Sequence, residues 1–136
     1  MTIFVDASAL IAIIVGEPDA DALSDRLEAD RDRLCSALSV WETVAGLVRS
    51  HAFTVEEARA EVKLYLDAGA IRFVPLGERE YELAIAAYAR FGKERHPAAL
   101  NMGDCHAYAC ARAHGATLLF KGDDFSRTDL AEAPAP

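Results

Sequence analysis

Short apolar runs alternate with longer amphipathic segments along this chain. The run TIFV, residues 2–5, is β-branched and aromatic and ends at Asp6, which is typical of a buried strand. Three further runs favour strands: RLCSAL at 33–38, IRFV at 71–74 and ATLLF at 116–120. The segments between these runs have the apolar spacing of helices. Strands separated by helices predict an α/β fold with a mostly parallel central sheet.

Capping signals indicate where the helices begin and end. Ser39 with Glu42, and Thr54 with Glu57, have the S/T-x-x-E spacing of a capping box, and Gly69 follows the second of these helices. The remaining helices are expected at residues 8–15, about 18–30, 78–91 and about 104–114.

Composition adds further constraints. The 136 residues suit one domain, 1–136, with a frayed tail from about residue 130. No apolar run reaches the length of a membrane span and no basic region marks a signal peptide, so we expect neither. Three cysteines cannot all pair, which favours a reducing cytoplasm. The net charge of −8 repels nucleic acid in general, so a polyanionic substrate requires a local cation.

Five acidic residues fall where a strand or loop leads into a helix or follows the last strand. Asp6 follows the first strand, and Asp123 and Asp124 follow the last. Glu42 lies early in the helix after the second strand, and Asp104 opens the helix before the last strand. In parallel sheets, ligands bind beyond the carboxyl ends of the strands. Carboxylates gathered there disfavour one another's ionisation unless a cation is present, and hard oxygen ligands select Mg²⁺ or Mn²⁺.

Each of these acids also has an ordinary structural explanation. A capping box accounts for Glu42, a helix N-terminus for Asp104, and a turn for at least one of Asp123 and Asp124. Ser8 is open to two interpretations as well, as a helix cap or as a hydrogen-bond partner of the acid beside it.

Histidine and cysteine residues suggest a zinc site at first sight. His106, Cys110 and His114 are spaced i, i+4 and i+8 on one helix face. Three residues on successive turns span about 12 Å from first to last, which is too far for one ion to bind all three side chains. We therefore interpret these residues as packing positions.

Three stretches in their order resemble a PIN-domain ribonuclease, specifically a VapC-type toxin. They are FVDASALIAIIVGEP at 4–18, SALSVWETVAGLVR at 36–49 and LNMGDCHAYACARAHGATLLFKGDDF at 100–125. The resemblance implies an α/β/α sandwich and a Mg²⁺-dependent endoribonuclease that acts on a structured or single-stranded RNA, with Mn²⁺ as a substitute ion. It also implies silencing by a VapB-type antitoxin and a homodimer formed through helices.

The acids of that family carry over to Asp6, Glu42 and Asp104, and its small hydroxyl residue carries over to Ser8. Asp6 and Asp104 then become the principal metal ligands. Family members often have a fourth acid two or three residues before the phenylalanine. Here KGDDF has Gly122 at the farther position and acids at Asp123 and Asp124, so the choice between these two stays open.

The densest basic stretch is RFGKERH, residues 90–96. Beside an acidic metal site, Lys93 and Arg95 are candidates to hold the RNA backbone. The aromatic residues are expected to pack, with Trp41 anchoring its helix in the core and Tyr88 contributing to a packing surface.

Two other classes of protein remain as alternatives. A phosphoacceptor receiver domain needs paired acids after its first strand and an aspartate after its central strand, whereas VDAS has one acid and IRFVPL has none. A catalytically idle interaction module has no reason to concentrate unpaired carboxylates.

Overall fold

The computed structural model describes residues 1–94, 96–122, 126, 128 and 129. The predictions for Arg95, Asp123, Asp124 and the tail from residue 130 therefore lie outside the described residues. In chain order, the described elements are β1 (Thr2–Val5), α1 (Ala7–Val15), α2 (Ala20–Glu28), β2 (Asp32–Cys35), α3 (Ala37–His51), α4 (Val55–Ala68), β3 (Ile71–Phe73), α5 (Glu78–Phe91), α6 (Met102–Ala113) and β4 (Thr117–Leu119).

The four described strands form one parallel sheet in the order β3-β2-β1-β4. β1 pairs with strands on both sides, since Phe4 lies opposite Leu34 of β2 and Leu118 of β4. Helices connect every pair of successive strands. The mixed α/β architecture with a parallel sheet confirms the predicted fold class.

Alternation along β1 divides the core between the two faces of the sheet. Ile3 and Val5 belong to a cluster that includes buried residues of α1 to α4, while Phe4 belongs to a second cluster built largely from α5 and α6. All three side chains are fully buried. Helices therefore cover both faces, which gives the α/β/α sandwich that the resemblance implied.

The beginning of α3 differs from the prediction. β2 ends at Cys35, so the predicted strand over 33–38 is too long, and Ser36 caps the helix. The Ser36 N–H donates to Ser39 Oγ at 3.0 Å, and the Ser39 N–H donates to Ser36 Oγ at 3.2 Å. The predicted Ser39–Glu42 capping box is wrong because these two serines form the reciprocal pair one turn earlier. Glu42 lies in the second turn, where no free backbone N–H requires it.

The beginning of α6 also lies earlier than predicted. Asn101 is the N-cap, and Asp104 is the third helical residue. The Asp104 N–H donates to Asn101 Oδ1 at 2.9 Å, and the Asn101 N–H donates to Asp104 Oδ2 at 3.1 Å. Gly115 follows this helix with a left-handed φ of 59°, as predicted for a residue that ends it.

Two other helices agree with the sequence. Thr54 and Glu57 form the predicted reciprocal capping box at the start of α4. α5 has the bounds that were predicted for it, Glu78–Phe91. No helix in the described ranges is long and apolar enough to cross a membrane.

Two aromatic residues lie at the surface, and the prediction for one of them, Trp41, is wrong. Trp41 is 67% exposed, so it does not anchor α3 in the core. Tyr88 is 44% exposed on α5. The apolar character of Trp41 predicted that it is buried. The inner faces of both helices are instead occupied by smaller residues, among them Thr43 and Ala84.

Candidate active site

Asp6 lies immediately beyond the carboxyl end of β1. Its N–H donates to the carbonyl oxygen of Leu119, the last residue of β4, at 2.9 Å. Asp6 is 5% exposed and caps α1, a role that the sequence analysis considered for Ser8. Its Oδ2 accepts the Ser8 N–H at 3.0 Å and the Ser8 hydroxyl at 2.6 Å. The carboxylate therefore has one oxygen held against the first turn of the helix.

Ser8 connects Asp6 to the chain that leaves β4. Besides donating to Asp6, the Ser8 hydroxyl oxygen accepts the Lys121 N–H at 2.9 Å. The predicted partnership of Ser8 with the neighbouring acid is thus present in the hydrogen bonds.

Glu42 extends from α3 to the first turn of α6. A Cβ atom built on Gly103 would lie 2.0 Å from Glu42 Oε2 and 2.3 Å from Oε1. The carboxylate therefore occupies the space that any other residue at position 103 would fill. Gly103 directly precedes Asp104, so the carboxylate of Glu42 lies beside the helix turn that contains Asp104.

The negative charge of Asp6 also acts on Glu42. Burial raises the pKa of the Glu42 carboxyl above its ordinary value, and the negative charge of Asp6 raises it further. The charges of His106 and Arg49 act in the opposite direction. Glu42 is thus close both to Asp6 and to the α6 turn that carries Asp104, and these two aspartates are 98 positions apart in the sequence.

The donor set suits a hard divalent cation. The Glu42 carboxylate lies beside the α6 turn that carries Asp104 and experiences the negative charge of Asp6, and crowding of like charges is the condition that a cation relieves. Within the described part of the chain, no three Asp, Glu, His or Cys side chains by themselves form a group that could hold a metal ion. Asp123 and Asp124, the candidates for the fourth acid, lie outside that part.

The Cys110 thiol is not accessible to a metal ion. Cys110 is fully buried, and burial raises the pKa of its thiol to about 12, so the thiolate that zinc prefers is strongly disfavoured. His106 Nδ1 lies 2.8 Å from the carbonyl oxygen of Met102. These contacts agree with the interpretation of the histidine and cysteine residues as packing positions.

A cavity of about 490 Å³ lies between α5 and α6 next to the acids. His106 and Asn101 line it, and the Asn101 N–H donates to Asp104 Oδ2, so the cavity adjoins the start of α6. Lys93, the described member of the predicted basic pair, lies at its edge. The other large side chains around it are Tyr81, Ile85, Tyr88, Glu94, Leu100 and Met102.

Three residues of the site were missed in the sequence. Asn101 could have been recognised, because N-x-x-D has the spacing of a capping box. Gly103 gave a weaker signal, a glycine at a helix start where helix propensity disfavours it. Lys121 follows the last strand, where a receiver domain has a lysine, but its contacts with Ser8 and Glu17 could not be predicted, since these residues are more than 100 positions away.

Comparison with known proteins supports the same assignment. A PIN-domain family model matches residues 3–130. VapC ribonuclease Mb0640 of Mycobacterium bovis and ribonuclease VapC30 of Mycobacterium tuberculosis are each 42% identical over 132 residues, covering 97% of this chain and 98% of theirs. VapC ribonuclease R02377 of Rhizobium meliloti is 40% identical over 139 residues, covering 93% of this chain and 98% of its own.

A crystal structure has the same fold. Mycobacterium tuberculosis VapC20, a sarcin–ricin loop cleaving toxin, superposes with a TM-score of 0.70 at 20% identity, covering 98% of each chain. Because the family model spans nearly the whole sequence, the chain belongs to the PIN-domain family. Its relatives at 36–42% identity are VapC ribonucleases, so it is an endoribonuclease toxin of that group and a hydrolase. PIN-domain ribonucleases generally depend on a divalent metal ion. These matches confirm the resemblance and are against the receiver-domain alternative.

Proposed function

We propose that this protein hydrolyses RNA phosphodiesters at the acids beyond β1, with Mg²⁺ as its cofactor and Mn²⁺ as a substitute. One observation carries the proposal: the Glu42 carboxylate lies against Gly103, beside Asp104, where the charge of Asp6 helps to raise its pKa. Three acids from distant parts of the sequence would not be brought together in this way for stability, since their charges oppose one another.

Asp6 and Asp104 are the residues that would hold the ion in this proposal. When bound, Mg²⁺ supplies a water of lowered pKa and offsets the charge of the phosphodiester. Ser8 keeps one oxygen of Asp6 turned towards α1. Asn101 does the same for Asp104 through its backbone N–H. Both acids are thereby presented in fixed orientations.

Glu42 is the group we assign to the attacking water. Its carboxylate accepts a hydrogen bond from that water, orients it towards phosphorus and takes its proton. A raised pKa suits this role, because a general base works best when its pKa approaches the operating pH. One of Asp123 and Asp124 completes the set of acids in our proposal. The bond between phosphorus and the 3′ oxygen breaks, and this oxygen takes a proton from solvent, so the expected products have 5′-phosphate and 3′-hydroxyl ends.

A cleavage assay tests this proposal. The partner-free protein is incubated with a mixed cellular RNA pool with Mg²⁺ or with EDTA, and alongside the Asp104→Asn variant. Asparagine can still accept the Asn101 N–H, so we expect a folded protein whose cleavage falls at least about 100-fold. The matched control is Asp67→Asn, since Asp67 is an exposed acid on α4 that pairs with Lys63. Undiminished cleavage in EDTA, or by Asp104→Asn, would refute the mechanism.

We further propose that Lys93 and Arg95 bind the RNA backbone. Lys93 is exposed and lines the same cavity as Asn101, the residue that pairs with Asp104. It would supply the local positive charge that a protein of net charge −8 needs to bind RNA. A structured or single-stranded cellular RNA is the expected substrate.

We place the protein in the cytoplasm and treat residues 1–136 as a single domain. It has two protein partners in this proposal. A VapB-type antitoxin silences the toxin, and a second copy of the chain binds through the helices. An exposed apolar face of α5 supports the homodimer. It consists of Tyr81, Ile85 and Tyr88, whose i, i+4 and i+7 spacing places them on one side of the helix, where a second helix can pack. Ile85→Asp should give a monomer by light scattering, whereas Leu64→Asp, at an exposed apolar site on α4, should not. A dimer that persists in Ile85→Asp would exclude this surface.

A further inference from the structure

We propose that Lys121 is a positioning residue for the active site, acting on Asp6 through the Ser8 hydroxyl. This inference rests on the proposed function, since it concerns the acid that we assign to the metal. Lys121 lies just beyond β4 and has two kinds of contact with α1. Its backbone contacts Ser8 near the start of the helix, and its side chain contacts Glu17 just after the end.

The first contact determines which way the Ser8 hydroxyl points. A serine hydroxyl has one proton to donate and lone pairs to accept with. The Lys121 N–H occupies a lone pair at 2.9 Å, so the proton is directed to Asp6 Oδ2 at 2.6 Å. A hydroxyl donating to a carboxylate at this distance is a strong, charge-assisted hydrogen bond. Without the Lys121 N–H, the hydroxyl is free to turn towards solvent.

The second contact keeps the Lys121 backbone in place. Pairing of β1 with β4 ends at Val5 and Leu119, so the sheet no longer fixes the chain at residue 121. The Lys121 ammonium binds the carboxylate of Glu17 and lies 3.2 Å from Asp19 Oδ1. Both acids belong to the turn between α1 and α2.

That turn is itself attached to α1. The Glu17 N–H donates to the Ala12 carbonyl oxygen at 3.0 Å, and Gly16 ends the helix in the left-handed conformation with φ 74°. Lys121 therefore joins the two ends of one helix, and its side chain fixes the position of its own N–H. Removal of the ammonium should release the backbone, and with it the orientation of Asp6.

Binding of Mn²⁺, followed by electron paramagnetic resonance, tests the proposal without relying on cleavage. Lys121→Met should weaken Mn²⁺ binding roughly 10-fold, the lower end of what is found when a residue that orients a metal ligand is removed. Lys121→Arg, which keeps the charge, should restore most of the affinity. Lys63→Met is the matched control, because Lys63 pairs with Asp67 on α4 and should leave binding unchanged. Glu17→Gln removes the partner instead of the lysine and should weaken binding as Lys121→Met does.

A double variant separates action through Ser8 from a direct effect of the lysine charge. In the Ser8→Ala background, Lys121→Met should cause no further loss of Mn²⁺ affinity. An equal loss in that background, or an unchanged affinity in Lys121→Met alone, would overturn the positioning role while the proposed function stands. Failure of the wild-type protein to bind Mn²⁺ at all would instead overturn the proposed function and this inference with it.

Discussion

Replacement of Gly103 by alanine tests whether the observed place of Glu42 matters for catalysis. Gly103 is buried in the first turn of α6, and the added Cβ would lie 2.0 to 2.4 Å from the three atoms of the Glu42 carboxyl group. Ordinary van der Waals contact begins at 3.4 Å. The Glu42 carboxylate must therefore retreat by about 1 Å or more, and a displacement of about 1 Å can cost an enzyme about 100-fold in rate.

The stability of the variant should change little. The colliding atoms are the far end of a flexible side chain, so Glu42 can move without disturbing the backbone. Alanine also favours the helix by about 0.5–1 kcal/mol over glycine. We expect the free energy of unfolding to stay within about 1 kcal/mol of the wild-type value. Activity should fall by one to two orders of magnitude in a protein that is otherwise intact.

Single-turnover cleavage and urea denaturation measure the two quantities, with Gly46→Ala as the matched control. Gly46 is a buried helical glycine of α3, one turn after Glu42, and the atoms that its added Cβ would meet belong to Ile11, with Cδ1 at 2.6 Å, and not to an acid. Overpacking there should cost about 1–3 kcal/mol while the folded fraction keeps its activity. Wild-type activity in Gly103→Ala would refute the assignment of Glu42 to the catalytic water at this position.

Three further predictions concern charge and exposure. In metal-free protein, Glu42→Gln should raise stability at pH 7.5. The gain should vanish below about pH 4, where Glu42 is protonated in the folded and unfolded states alike, because a raised folded-state pKa costs stability only above the ordinary value. Urea denaturation at both pH values checks this, and a destabilisation of equal size at each would contradict it. Trp41→Ser should change the free energy of unfolding by less than about 0.5 kcal/mol, since the side chain is 67% exposed; a loss above about 2 kcal/mol would mean that it is buried. Charge reversal at Lys93 and Arg95 should weaken RNA binding and flatten its dependence on salt, and an unchanged salt slope would remove both residues from the interface.

The sequence predicted the order of strands and helices because that order depends on local patterns. β-branched runs and helical spacing identified the four described strands and the six described helices, and the Thr54–Glu57 box gave the start of α4 correctly. The predicted start of α3 was wrong because two spacings compete within the seven residues from 36 to 42. Ser36 and Ser39 form the box, and S-x-x-E one turn later imitates it.

The prediction that Trp41 is buried was also wrong. Trp41 and Tyr88 are apolar enough for a core, but the sequence does not show how deep a helix lies against its sheet. Small residues such as Ala84 and Ala87 fill the inner face of α5 and bring it close to α6, so the larger side chains remain outside. Neither apolar character nor helical spacing distinguishes a residue that packs inside from one available to a partner.

The serine cap at the start of α3 leaves Glu42 without a capping role. As a capping residue, Glu42 would have had a complete structural explanation, and its conjunction with Asp6 and Asp104 would have been incidental. With Ser36 and Ser39 satisfying the helix N-terminus, no backbone group accounts for a half-buried carboxylate whose pKa is raised. A group that costs stability and has no structural task is the kind of residue retained for chemistry. Gly103 supports the same conclusion, since a helix position where alanine has the higher intrinsic propensity is glycine at the place where the Glu42 carboxylate lies.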